Sequence, residues 1–288
     1  MKLIYICLAV FLLCFPLVRY LLFNFPRILW GLFPDIYYYL IHKKWNECRA
    51  FGQIVCYTGL FGQGKTKECV RHVVNQYKQF NGRKIWDFEK HCFVEQHVVV
   101  YSNVHLNIPY IKLTSIQQLV DCQGSGLSTI NLFLIDEASV VFNSRDFKNN
   151  FSVPALNTIL TSRHHRIGIF LTSQRFGHMD ALLRQVTSYV YECHYFKPFR
   201  TQQVKVFNAW EVENCTNLLL LKPLRTFYTY TSNAVYALYD TYAMVSEISK
   251  KCVEGGFIPD SEVLANQGVL QNDIKQVSRA RRKLSKRM

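Results

Sequence analysis

The chain has 288 residues, room for one large catalytic domain with appendages or for two small ones. Hydrophobic residues make up 49% and charged residues 19%, below the ~25% of an ordinary soluble domain, which excludes a chain whose dominant state is disorder. The 34 Lys+Arg against 20 Asp+Glu leave +14, so an anionic partner is expected: nucleic acid, acidic phospholipid or nucleotide phosphate. The ten cysteines form no CxxC pair and no spacing for a tetrahedral zinc site. They read as small buried hydrophobes in a reducing cytosol rather than a secreted disulfide framework.

Residues 3–18, LIYICLAVFLLCFPLV, are uncharged and apolar and predict an N-terminal transmembrane helix. The run is short of the ~20 residues a span needs, but Arg19 can snorkel and Tyr20 to Phe25 can extend it. A secretory signal peptide is the rival reading, although no small-x-small cleavage site follows. The cations Arg19, Arg27, Lys43, Lys44 and Arg49 lie on the C-terminal side, which predicts a single-pass protein with the bulk of the chain in the cytoplasm. Residues 20–41 are again apolar, broken by Arg27 and Asp35. They fit an interfacial helix rich in Tyr and Trp, a second span or a buried helix, the first being preferred. Residues 1–49 are therefore assigned to the anchor.

From about residue 50 to 245 the composition is that of an α/β domain. The strand pattern Gln53–Thr58 leads into Gly59, Leu60, Phe61, Gly62, Gln63, Gly64, Lys65 and Thr66, followed by a helical pattern to about Phe80. This is the spacing of a phosphate-binding loop: glycines let backbone N–H groups wrap an anion at a helix N-terminus. Lys65 would reach the β- and γ-phosphates of ATP and Thr66 would ligate Mg²⁺. The apolar run Asn131–Ile135, ending in Asp136 and Glu137, reads as a buried parallel strand with Asp136 on the metal and Glu137 as general base. A third strand, Ile167–Ser173, places Gln174 where it could touch the γ-phosphate or attacking water, unless it is only a surface glutamine. A helical stretch from Val153 to Arg166 precedes it. Arg163, Arg166, Arg175 and Arg184 are candidates for an arginine supplied by a neighbouring subunit, and each reads equally well as a surface cation.

Further strands at His97–Ser102 and Ser188–Tyr195 complete a five-stranded parallel sheet, with Gln202–Trp210 and Arg225–Thr231 as an edge hairpin. Residues 246–288 form an extension. Its tail, 275–288, holds seven cations and no acid, and reads as disordered until it meets DNA or anionic lipid.

Taken together, Thr58 to Thr66, Ser102-Asn103-Val104, Ile135 to Ala138 with Phe142 and Arg145, Arg163 to Gly168 leading into Leu171–Gln174, and Leu238 to Tyr242 resemble the zonular occludens toxin (Zot) N-terminal domain family. That family contains the filamentous-phage assembly ATPases and sits with the FtsK and HerA type of DNA-pumping motors. The likeness covers about residues 52–242. It implies a RecA/FtsK-like P-loop fold, a ring of subunits such as a hexamer, and an ATPase that drives single-stranded DNA through the host inner membrane toward phage coat or envelope channel proteins. The roles of Lys65, Thr66, Asp136, Glu137 and Gln174 carry over because these residues occupy the motif positions. A packaging or conjugative-type DNA translocase and a nucleotide-dependent membrane scaffold remain alternatives.

Overall fold

The computed structural model describes residues 15–122, 126, 128–142, 153–215, 220–239 and 257–258. Residues 1–14 of the expected span, most of the extension beyond 245 and the basic tail lie outside them.

The described chain divides into two compact units. The first comprises the chain up to Glu47 together with Lys84–Val94. Its helix α1, Pro16–Ile41, opens with proline at its first position, where no hydrogen bond is lost, and runs 26 residues. It passes through Arg19 without a break, so 16–18 and 20–41 are one element rather than two segments divided at the arginine. None of its side chains is buried. Among the described residues no helix is long and apolar enough to cross a membrane; Arg19, Arg27 and Asp35 interrupt α1. Near its end the His42 ring lies 4.6 Å from Trp86 and 5.5 Å from Phe88. Trp86 belongs to a small two-stranded sheet of β2 (Lys84–Asp87) and β3 (Cys92–Glu95), which the sequence reading passed over, and Phe88 to the turn that joins them.

The second unit is built on a nine-stranded sheet. Its strands are β1 (Ile54–Thr58), β4 (His97–Ser102), β5 (Tyr110–Lys112), β6 (Thr129–Ile135), β7 (Ile167–Ser173), β8 (Tyr189–Phe196), β9 (Thr201–Asn208), β10 (Arg225–Tyr230) and β11 (Phe257–Ile258). The order is β10-β9-β8-β1-β7-β6-β4-β5-β11. From β8 to β5 neighbours run parallel, while β9 and β10 continue antiparallel as the expected hairpin and β11 pairs antiparallel with β5. β1 and β7 are buried at every residue, as strands covered on both faces must be.

One face carries Val55, Tyr57, Leu132, Leu134 and Phe170 against α2 (Lys65–Phe80), through Cys69, Val70, Val73 and Val74. The other packs Ile54, Cys56, Phe133 and Ile169 against Leu119, Ile159, Leu183 and Val212. These four come from short helices α3 (Gln117–Asp121), α5 (Val153–Leu160), α6 (Ala181–Val186) and α7 (Ala209–Asn214); α4 spans Ala138–Val141. Alternate strand residues thus feed two apolar layers, and the period-2 pattern becomes a three-layer α/β domain.

The helical pattern expected to reach Arg166 stops at Leu160. Turns fill 161–166, Arg166 adopts φ +53, and Ile167 N–H closes on the Ser162 carbonyl at 2.9 Å to start β7.

Candidate active site

β1 ends at Thr58 and α2 begins at Lys65; the six residues between must reverse direction with their N–H groups inward. Gly59, Gly62 and Gly64 adopt φ of +148, +74 and +75, conformations that cost a side-chain-bearing residue strain. At Gly59 a Cβ would stand 2.8 Å from the Cys193 carbonyl, and at Gly64 it would collide with Gln202 Oε1. The loop is also tied from behind. The Gln63 carbonyl accepts from Gln202 Nε2 at 2.9 Å, and Gln63 Oε1 accepts from the Tyr195 N–H at 2.8 Å. Lys65 Nζ donates to the Leu60 carbonyl at 3.1 Å, and Leu60 and Phe61 stand exposed.

The second half of the site stands at the end of β6. Asp136 is buried, and its Oδ1 accepts from Thr66 Oγ1 at 2.8 Å and from Thr172 Oγ1 at 2.6 Å. Asn103 clamps its backbone, donating to the Asp136 carbonyl at 3.0 Å and accepting its N–H at 2.8 Å. Burial pushes the Asp136 carboxyl up from the usual carboxylate range, while the two threonine bonds and the Lys65 charge pull it back. A hydroxyl and a carboxylate sharing one contact form an oxygen donor pair suited to Mg²⁺, which keeps waters in its remaining positions. Glu137 is exposed, holds φ +52, and donates its N–H to Thr172 Oγ1 at 2.9 Å. A non-glycine residue in that conformation costs of order 1–3 kcal/mol, the kind of strain that concentrates at functional sites.

Phe61, Gly62, Gly64, Lys65, Thr66, Glu137 and Gln174 line one cavity of about 310 Å³. The strand order explains the meeting: β7 lies between β1 and β6, so Gln174 is carried between the loop and the acidic pair. Gly59, Leu60 and Gln63 line the neighbouring cavity of about 850 Å³, again with Gln174.

The four arginines are not brought into the first cavity. Arg175 and Arg184 line the second one. Arg184 is held at home, 3.4 Å from Glu213 and donating to the Gly177 and Met179 carbonyls at 3.0 and 3.1 Å. Arg163 packs on Gly52 and Arg166 lies 5.0 Å over the Phe51 ring, at the beginnings of β7 and β1. A five-residue strand, about 17 Å, separates them from their own loop.

Several site residues escaped the sequence reading. Lys67 is 4% exposed, with Nζ donating to Thr231 Oγ1 at 2.8 Å and lying 3.8 Å from the Tyr195 ring centre. Burial lowers its ammonium to about 8, with Glu68 opposing. Glu68 is buried too and takes two bonds from Arg71. Gln202 and Thr172 looked like ordinary strand residues; the one signal was a polar side chain at an inward-facing strand position.

The parallel sheet, the glycine loop entering α2 and the carboxylates at the end of β6 define a P-loop nucleotide-binding protein. A family model described as zonular occludens toxin (Zot) matches residues 53–236, more than half of the chain, and the protein belongs to that family. The crystallised N-terminal domain of zonular occludens toxin from Neisseria meningitidis is similar at 20% identity and TM-score 0.43, over 66% of this chain and 100% of that one. The genome packaging NTPase of Sulfolobus turreted icosahedral virus 2, in complex with ATP-gammaS, is similar at 14% identity and TM-score 0.34, over 50% of this chain and 76% of that one. No curated protein sequence matches the chain.

Proposed function

We propose that this Zot-family protein is a membrane-anchored ATPase that drives single-stranded DNA through the inner membrane of a bacterial host during assembly and extrusion of a filamentous phage. The observation that carries the catalytic part is the 2.8 Å bond from Thr66 to Asp136, which joins the loop and the acidic strand across 70 residues. Thr66 and Asp136 would hold Mg²⁺, which when bound supplies charge neutralisation between the phosphates. Lys65, freed from the Leu60 carbonyl, binds phosphate oxygens. Glu137, held out by its left-handed backbone, accepts the proton of the attacking water, and Gln174 orients that water. The membrane part is supported by α1, which is predominantly apolar and exposed along its length, a pattern that fits a lipid environment better than bulk water. The DNA part is supported by family membership and the +14 charge.

The test is turnover of the detergent-solubilised full chain without DNA, with single-stranded DNA and with duplex. Stimulation by single strands supports extrusion. Stimulation by duplex alone makes the protein a packaging or conjugative-type translocase, and indifference to both makes it a nucleotide-dependent membrane scaffold.

A further inference from the structure

The 310 Å³ cavity has two chemically different walls. Glu137, Thr172 and Gln174, from the ends of β6 and β7, form one; Tyr195, Tyr236 and Tyr239 form the other, with Lys67 beside them. In the sheet these walls fall on opposite sides of β1: β7 and β6 follow it in one direction, while β8, which carries Tyr195, follows in the other. Hydrolysis needs the first wall and has no use for three tyrosines. Phosphoryl transfer is in line, so attacking water and leaving group stand on opposite sides of the transferred phosphorus. With the water beside Glu137, the bond that breaks is that to the β–γ bridging oxygen on the far side of the phosphorus, and the nucleoside diphosphate leaves on the side away from Glu137, where the tyrosines stand.

The tyrosine wall is built rather than incidental. The Tyr195 and Tyr236 hydroxyls are 2.8 Å apart and join the end of β8 to α8 (Asn233–Tyr236). Lys67 Nζ lies 3.8 Å from the Tyr195 ring centre and 5.8 Å from that of Tyr236. Among the described residues no carboxylate lies within ion-pairing distance of it, so its charge is turned to rings and cavity. Tyr236 is 43% exposed, leaving ring surface open to a ligand.

We infer that Tyr195 and Tyr236, braced by Lys67, form a nucleoside subsite on which the base of the bound nucleoside triphosphate stacks. The inference rests on the ATP-site reading above, and its test separates the two. Full-length protein is titrated calorimetrically with ATP and with inorganic tripolyphosphate, both with Mg²⁺; the second ligand has the phosphates and no base. Wild type should bind ATP more tightly. Tyr236→Ala should weaken ATP about tenfold, within what base–aromatic stacking contributes, and leave tripolyphosphate unchanged. Tyr236→Phe, which keeps the ring and loses the hydroxyl, should stay near wild type for ATP. Equal weakening of both ligands by Tyr236→Ala, or weakening of neither, overturns the subsite while leaving the phosphate site standing. A wild type that binds neither ligand removes both readings.

Discussion

Gly64 and Gly62 share nearly the same φ, yet the space around them differs. A Cβ at Gly62 meets nothing within 4 Å, whereas at Gly64 it collides with Gln202 Oε1, a buried atom whose amide also holds the Gln63 carbonyl. Gly62→Ala should therefore cost only the left-handed strain, about 1–2 kcal/mol, while Gly64→Ala should cost more and also lose nucleotide affinity. Thermal melts of the two variants check this; equal losses would mean that Gln202 yields freely. The glycines, Lys65, Thr66, Asp136 and Glu137 were legible because their chemistry lies in contiguous motifs at the ends of periodic segments. Gln202, Thr172 and the Tyr195–Tyr236 pair were not, because each acts through a partner far along the chain and its own neighbourhood looks like ordinary strand or turn.

Among the elements, α2 joins the site to the core. Its His72 Nδ1 lies 2.5 Å from the Tyr57 hydroxyl of β1, and burial pushes the imidazole down to about 4 from its ordinary 6.5. Glu68 opposes that shift, and Arg71 and Arg225 reinforce it. The folded state therefore resists a proton that the unfolded chain accepts, so this contribution is fully present above pH 6.5 and is lost as pH falls toward 4. The melting temperature should drop across that window, and His72→Gln should flatten that part of the profile; an unchanged profile would put the acid sensitivity elsewhere. The five parallel strands and the edge hairpin were readable from apolar runs and alternation. Three-residue β5 is too short to show a period, β3 exposes three of its four residues, and in four-residue β2 one of the two buried positions is the charged Asp87, which hides the apolar alternation. α5 is shorter than its pattern because the chain gives way after Leu160 to turns that end with Arg166 at positive φ, a local reversal that the polar run Thr161–Arg166 does not announce.

At the scale of the whole molecule, the positions of Arg163 and Arg166 at the far end of β1 mean that either could reach a nucleotide only in another subunit. Mixing an excess of catalytically silent subunits with wild type should poison turnover beyond simple dilution for at least one of Arg163→Ala, Arg166→Ala and Arg175→Ala. Arg184→Ala should instead lower stability, because that side chain is committed to Glu213 and two carbonyls. Dilution-proportional loss for every variant would dismiss a trans arginine.

The central claim, that this constellation hydrolyses ATP, meets its most direct test in turnover and ATP binding measured side by side on wild type and Glu137→Gln, with Lys65→Ala as the variant that cannot hold phosphate. Glu137→Gln should bind ATP as wild type does and turn it over at least about a hundredfold more slowly, the low end of what a general base contributes. Equal turnover in wild type and Glu137→Gln would contradict the account.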